Sequence, residues 1–541
     1  MCGIRAVTLL LTLVGAVALV AAAPGTCRVL LIFQMGARSH WTLGRALAAG
    51  LAARGHHVTA VTPFSEQGSS DNWTHVPVPN TMHLFGDTNM FSLGERGAFG
   101  LIMTLFRFGV SSCEIFLQTE SVRRLFLAGH KFDVMIIEEF FSECFLPLAH
   151  RLRIPVIGVA TISPTSWMAD IVGSPSPYAY VPDTFLWYTD RMPFLQRLHN
   201  AAFATLSKVA REMYYKPRLE AVLRQYLNST ALPSVSDMEK NTSVLLSNTH
   251  VSMFFPRPLS PNYIEIGGVH IRPPQKLPQY FQKLLDDAKN GVILFSLGSN
   301  LRSSDMPEAK TKAFFETFSK MKQIILWKWE TDELEGKPEN VKTEKWLPQS
   351  DIMAHDNVRL FITHGGLLSM TEAVHHGVPL VVVPFFGDQH FNARQAERLG
   401  YAVRLDFSNI TADSLTWALT EVLNSPSYRM RAREVSRIFH DRPRAPLEEA
   451  VWWTEYVVRH RGATALRSAG QDLCWYQIML LDVVAAALAA LCLPSLAIWA
   501  GFKALSAKRV ACMVGLEPKC LSSLNVNCRH SPNSVNVVQE I

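Results

Sequence analysis

Two successive runs of alternating strand and helix patterns predict an α/β protein built from two facing, doubly wound, Rossmann-like domains, followed by one C-terminal transmembrane helix. Three observations carry this. Short apolar runs bounded by turn residues recur in both halves, as buried parallel strands require. A Pro-rich link, Arg272-Pro273-Pro274-Gln275-Lys276-Leu277-Pro278, stands between the two runs. The stretch from Val483 to Phe502 carries no charge over about 20 residues, enough to cross roughly 30 Å of hydrocarbon.

In the first half the strand patterns are Arg28–Phe33, His57–Thr62, Phe132–Glu138 and Pro155–Ala160, with helical periodicity from His40 to Arg54. This is the βαβ rhythm of an open parallel sheet. Residues 64–128 break the rhythm and are rich in Phe, Leu and Met. The run Ala98–Val110, interrupted by Arg107, is too short to span a bilayer. The amphipathic segment Met192–Leu227 is predicted to be helical. Both segments are expected to wall a pocket for an apolar ligand, or to pack as plain core. The second half restarts with Val292–Ser296, Gln323–Lys328, Arg359–Thr363 and Pro379–Pro384.

The ends of the chain set its topology. Arg5, the apolar run Val7–Val20 and the small residues Ala21-Ala22-Ala23 before Pro24 read as a secretory signal peptide. Lys503, Lys508 and Arg509 follow the C-terminal apolar run, which places that side in the cytosol. The expected organisation is a signal peptide over 1–23, an N-terminal domain over 24–270, a C-terminal domain with return helices over 279–470, a span over 483–502 and a cytosolic tail over 503–541. Sequons at Asn72, Asn228, Asn241 and Asn409 all fall in the part assigned to the lumen, marking a glycoprotein. Only Cys27, Cys113, Cys144 and Cys474 lie there too, which excludes a disulfide scaffold; one bridge stays open. The net charge of +6 over 541 residues is dispersed, so no nucleic-acid footprint is present.

Ligands of such sheets bind beyond the carboxyl ends of the strands. There, Ser296-Leu297-Gly298-Ser299 offers a Gly turn and hydroxyls suited to phosphate, or an ordinary strand-to-helix turn. Trp346-Leu347-Pro348-Gln349 pairs an indole with an amide, fit to stack on and read a base, unless Trp346 is simply buried. His364-Gly365-Gly366 opens a helix whose N–H groups and dipole suit a diphosphate. Ser369 and Glu372 also have capping-box spacing. Gly387-Asp388-Gln389 places a carboxylate and an amide at a strand end, where they can bind hydroxyls or cap a helix.

Taken together, Trp346, Phe361–Gly366, Glu372, His376–Pro379, Pro384 and Asp388-Gln389 resemble the signature of the UDP-glycosyltransferase family, in order and spacing over more than 40 residues. The run Thr363–Ser369 is most similar to arthropod members. The resemblance implies the GT-B glycosyltransferase fold and a UDP-sugar donor. It also implies that Trp346 and Gln349 contact uracil, and Glu372 the ribose. Ser299, His364, Gly366 and Ser369 would surround the diphosphate, with Asp388 and Gln389 on the sugar. Leu368 departs from the pattern, since many relatives carry Asn there.

The same resemblance places the catalytic base at His40, after the first strand. A helix start disfavours the imidazolium, so a neutral ring able to accept a proton is expected. The family's orienting Asp falls at Glu138, with Glu139 a competitor for the role. The implied reaction is a hexosyl transfer, glucosyl by resemblance, to a small lipophilic hydroxyl compound with inversion at the anomeric carbon, as in detoxification. Glucuronate and galactose stay open as sugars. The sequence shows no Asp-x-Asp metal motif, and neither metal nor cofactor is expected. Two other readings are carried: a non-catalytic, membrane-anchored binder of hydrophobic ligands, motivated by Leu368 and Glu138, and a lipid-glycosylating biosynthetic enzyme. The family address is the endoplasmic reticulum membrane in single-pass type I topology. The tail, ending Val538-Gln539-Glu540-Ile541, lacks the short dilysine ending of many relatives. A homo-oligomer is left open.

Overall fold

The computed structural model describes residues 25–65, 72–85, 91, 94, 96–127, 129–228, 231–332 and 334–514. The expected signal peptide and most of the expected tail lie outside them. The chain divides into two units, Met1–Gln471 and Asp472–Ile541.

The first unit contains two parallel sheets. The first is formed by β1 (Arg28–Ile32), β2 (His57–Thr62), β3 (Trp73–Pro77), β4 (Val134–Glu138), β5 (Val156–Ala160), β6 (Thr242–Ser247) and β7 (Tyr263–Glu265), in the order β3-β2-β1-β4-β5-β6-β7. Helices α1 (Arg38–Ala53), α2 (Gly97–Gln118) and α3 (Phe194–Ala210) lie between these strands in sequence. The second sheet has the order β10-β9-β8-β11-β12-β13. Its strands are β8 (Val292–Ser296), β9 (Ile324–Lys328), β10 (Val341–Glu344), β11 (Val358–Thr363), β12 (Leu380–Val382) and β13 (Ala402–Arg404), with α4 (Leu367–His376) and α5 (Gln389–Leu399) among them.

Successive side chains of these strands enter separate cores on the two faces. Leu30 and Ile32 join one core of the first sheet, and Val29 and Leu31 the other. In the second sheet Val292 and Leu294 face one core, Ile293 and Phe295 the other. Burying each such side chain is worth about 1.5–3 kcal/mol. Covering both faces explains why the strands read as continuous apolar runs.

The apolar run Ala98–Val110 lies within helix α2, which at 22 residues is long and apolar enough to pass for a span, but over half of it is buried. It is a core helix, and its Leu101 and Leu105 line the main cavity. The segment Met192–Leu227 corrects the expectation of a pocket wall: it is helical, yet none of its residues lines that cavity.

After the second sheet the chain crosses back. Helix α6 (Pro446–Arg459) sends Ala450, Val451 and Val457 into the core shared with Val29 and Leu31. Gly50 of α1 admits this approach, because a Cβ there would stand 2.7 Å from Leu447 Cδ1. A buried polar contact pins the return. The Cys27 N–H donates to His56 Nδ1 at 3.2 Å, and His56 Nε2 donates to Glu455 Oε1 at 3.2 Å. The second unit is dominated by α7 (Leu481–Met513), 33 residues long, exposed from Leu481 through Ala507 and apolar enough, over Leu481–Ala511, to cross a membrane.

Glu455→Ala strands the buried His56 Nε2–H, at a cost of about 1–3 kcal/mol. A lower urea midpoint with an unchanged slope is expected; an unchanged midpoint would show that the return helix does not depend on this contact.

Candidate active site

The order of each sheet reverses at one point. β1 pairs with β2 on one side and β4 on the other, and β8 pairs likewise with β9 and β11. Loops leaving the strands at such a point diverge and leave a crevice. A cavity of about 850 Å³ opens there, lined by residues of both sheets. His40, Ser299, Trp346, Gln349, His364, Gly366, Ser369, Glu372, Asp388 and Gln389 all line it. Glu138 does not; it is fully buried behind His40.

His40 is the third residue of α1, and Glu138 the last of β4. The Glu138 carboxylate accepts a hydrogen bond from His40 Nδ1. Since a carboxylate only accepts, Nδ1 carries the proton and Nε2 keeps its lone pair. Thr161, immediately after β5, donates to Glu138 Oε1 at 3.0 Å and lies 3.1 Å from His40 Nδ1. Phe140 stands edge-on to the imidazole, with ring centroids 5.1 Å apart. Gln34 braces the loops: its Nε2 donates to Phe141 O at 3.1 Å, and Ser142 Oγ donates to its Oε1 at 2.5 Å. Burial alone pushes the imidazole down. The Glu138 charge and hydrogen bond, then the Asp388 charge, outweigh it, so His40 titrates above its ordinary value. The helix start therefore does not dictate its charge, as the sequence led one to expect. Glu139 turns elsewhere: a Cβ on Gly158 would meet its Oε1 at 2.6 Å. Burial, then the neighbouring Glu143 and Glu239, raise Glu139 well above the usual carboxylate range.

In the second half two glycines enclose His364. A Cβ on Gly298, whose φ is +81°, would stand 2.6 Å from its Cε1, and one on Gly366 would stand 2.4 Å from its Nε2. Burial, reinforced by the Lys328 charge, pushes this imidazole down to about 4. Helix α4 begins at Gly366 with no side-chain cap, so its first-turn N–H groups have no intrahelical partners. The capping-box reading of Ser369 and Glu372 thus gives way to a different contact. Gln349 Nε2 donates to Glu372 Oε2 at 2.6 Å and to Ser369 Oγ at 3.0 Å. Trp346 is 62% exposed, so it is not a core residue, and the Arg38 guanidinium stands 6.0 Å from its ring centroid. Ser299 is exposed in the turn after β8.

Asp388 occupies the N-cap position of α5, yet its carboxylate makes no capping bond. It accepts instead from Asn392 Nδ2 at 2.8 Å. Gln389 Oε1 accepts from the Phe385 and Phe386 N–H groups at 2.9 and 3.2 Å, which leaves its Nε2 amide for a ligand. The sequence reading missed Thr161, Asn392, Arg38 and Lys328. Thr161 follows the end of a strand and Asn392 lies one helical turn after Asp388, so both had a local signal. Lys328 ends β9 and had the same kind of signal, whereas Arg38 meets Trp346 only through tertiary placement.

Two parallel α/β halves with a shared crevice at their switch points define a two-domain glycosyltransferase fold. The glycotransferase of kitacinnamycin has a similar structure, with a TM-score of 0.56 and 20% identity over 81% of this chain and all of that one. Residues 28–514 match the family described as UDP-glucoronosyl and UDP-glucosyl transferase, and the chain belongs to that family. It is 37% identical to UDP-glucosyltransferase 2 of the insect Dactylopius coccus, over 86% of this chain and 90% of that protein. It is 36% identical to UDP-glycosyltransferase UGT5 of the same organism, over 84% and 87% respectively. The protein is a UDP-glycosyltransferase enzyme.

Burial raises the Glu372 carboxyl to about 7, against the hydrogen bond from Gln349 that lowers it. The folded protein therefore holds this proton more tightly than the unfolded chain, and ionisation costs stability as pH rises toward 7 and above. Glu372→Gln removes that cost. The variant should gain up to roughly 3 kcal/mol above pH 7, with the gain vanishing toward pH 4.5. Urea titrations at pH 5 and 8 test this; an equal effect at both pH values would refute it.

Proposed function

We propose that this enzyme transfers a neutral hexose, glucose in preference, from a UDP-sugar to the hydroxyl of a small lipophilic acceptor, with inversion at the anomeric carbon. The observation that carries the reading is His40, which lines the cavity together with the donor residues and is paired from behind with the buried Glu138. His40 Nε2 takes the acceptor proton as the oxygen forms its bond to the anomeric carbon. The bond from that carbon to the β-phosphate oxygen breaks, and UDP leaves with the electron pair. Glu138 is a positioning residue: it fixes the tautomer and stabilises the imidazolium that forms. The open N–H groups at the start of α4 oppose the charge developing on the leaving diphosphate. In this assignment Trp346 and Gln349 hold uracil, Glu372 the ribose, Ser299, His364, Gly366 and Ser369 the diphosphate, and Asp388 and Gln389 the sugar.

Two features bear on the substrates. Among the groups acting on Asp388 is the His40 charge. A hexuronate carboxylate set against Asp388 would meet a second carboxylate, which favours an uncharged sugar; the name of the glucosyltransferase relative points the same way. On the acceptor side Met35, Met82, Phe85, Leu101, Leu105 and Ile162 line the cavity with apolar surface. We further place the enzyme in the endoplasmic reticulum membrane with its catalytic half in the lumen, anchored by α7. The exposed sequon residues Asn241 and Asn409 support the lumenal side.

His40→Ala should abolish turnover of a phenolic acceptor while leaving UDP affinity within about threefold, and near-normal turnover would remove His40 as the base. The base must be deprotonated to act, so kcat/KM falls as pH drops through a His40 value lying above the ordinary one. Glu138→Gln removes the carboxylate that raises it. The acid limb of the pH profile should move to lower pH while the rate plateau drops. A limb that stays in place would show that Glu138 does not act on His40.

A further inference from the structure

The edge of the first sheet opposite the active site holds a second cavity, of about 470 Å³. That is the size of a small-molecule pocket, roughly 300–1,000 Å³. Val156 and Thr242, the first residues of β5 and β6, line it, whereas the main cavity lies at the carboxyl ends of the strands. Further wall comes from the short helix Leu146–Leu152 and from the turn after α6. Arg467 Nη1 donates to Lys240 O at 3.0 Å, which ties the segment after α6 to the start of β6.

The charge of this cavity has one sign. Arg153, Lys240, Arg461 and Arg467 are exposed at its wall with His150 beside them, and no Asp or Glu among the described residues lines it. Asp237 stands 3.5 Å from Lys240, which still leaves an excess of positive charge. Two of the arginines hold positions that the backbone would give to glycine. Arg153, at φ 54°, follows the helix Leu146–Leu152, and Arg461, at φ 48°, comes two residues after α6. Glycine is the usual residue at such left-handed helix ends. With Ala463, at φ 50°, three of the six left-handed non-glycine residues among the described residues line this cavity. Strain of this kind collects at ligand sites. Deeper in the wall, Thr242 is 4% and Asn262 1% exposed. Neither Thr242 Oγ1 nor Asn262 Oδ1 has a hydrogen-bond partner among the described residues. Buried polar atoms left unpaired are costly, and a hydroxylated ligand is the partner that their position offers.

We propose that this cavity is a second ligand site, for a small phosphate ester with a hydroxylated body, such as a sugar phosphate. A phosphate monoester carries a charge of about −1.5 to −2, which answers the excess of cations. Guanidinium forks bind its oxygens in bidentate pairs. The hydroxylated body then lies toward Thr242 and Asn262. A concave site of this volume selects a small molecule over an extended acidic chain. A ligand that joins Arg461 and Arg467 to Arg153 also fastens the segment after α6 to the first sheet, on which α6 packs.

Isothermal titration of the full-length protein in non-ionic detergent with glucose 6-phosphate, glucose and inorganic phosphate tests this. Glucose 6-phosphate is expected to bind at one site per chain with a Kd below about 1 mM, inorganic phosphate more weakly and glucose not at all. Arg153→Gln/Arg461→Gln, at exposed positions away from the main cavity, should weaken that binding at least about tenfold while KM for the UDP-sugar stays within about twofold. Thr242→Val should weaken glucose 6-phosphate and leave inorganic phosphate unchanged. Binding that the double variant retains would overturn the proposal, and its displacement by UDP would assign it to the donor site. Absence of binding would overturn it as well. Asn241, a sequon residue, also lines the cavity. Asn241→Gln removes the glycan acceptor and should bind like the unaltered protein. Binding confined to that variant would overturn the proposal, because the glycan would then fill the site.

Discussion

A carboxylate with no exposed surface must find partners, and Glu138 has two: the His40 imidazole and the Thr161 hydroxyl. Its Oε2 has no hydrogen-bond partner among the described residues, so the acid is only partly satisfied there. Such a group is costly unless its charge is answered. The imidazole answers it, and in return has its tautomer fixed and its proton affinity raised. Residues from three neighbouring segments must stay in register for this: α1 after β1, the end of β4, and the first residue after β5. Gln34 serves that need by tying the loop after β1 to the loop after β4. Phe141, at a left-handed φ of 61°, is held by the same bonds. A non-glycine residue there costs about 1–3 kcal/mol and persists only where its surroundings over-determine it.

Most of the second half was legible in the sequence, because its signals are local. A strand end, a pair of glycines and a helix start lie within a few residues of one another around His364. What was not legible was decided over distance. Ser369 and Glu372 have the spacing of a capping box, yet Gly366 begins the helix and Gln349, twenty residues before Ser369, takes both side chains. Glu138 was preferred over Glu139 on the family pattern alone; both faces of a parallel sheet are buried, so strand parity cannot say which face looks toward His40. The periodicity of Met192–Leu227 announced a helix truthfully but was silent on its surroundings; an apolar stripe reads the same whether it faces a pocket, a core or neither.

The two departures from the family pattern have different weight. The extra methylene of Glu138 is absorbed, because the side chain still reaches Nδ1 and Thr161 completes the contact. Leu368 is not compensated in the same way. It lines the cavity in the first turn of α4 and supplies no donor. In the proposed donor site the load therefore falls on backbone N–H groups, which the absence of a cap leaves open, and on the neutral His364 held between Gly298 and Gly366.

Helix α1 joins the two tasks of the site. Its first residue, Arg38, reaches toward the exposed Trp346 of the other half, and its third residue, His40, is paired with Glu138. The same helix is clasped from behind by α6, through Leu447 against Gly50. A segment that belongs to the second half in sequence thereby holds the element that carries His40, the proposed base. The spacing of Trp346 and His40 is thus set by packing within one unit rather than by the Pro-rich link. That link is itself tied down, for Arg272 bonds both Asp351 oxygens, at 3.1 and 2.7 Å. Rigid placement of this kind suits a reaction in which attacking oxygen, anomeric carbon and leaving phosphate must lie in line, where an error of about 1 Å can cost 100-fold in rate.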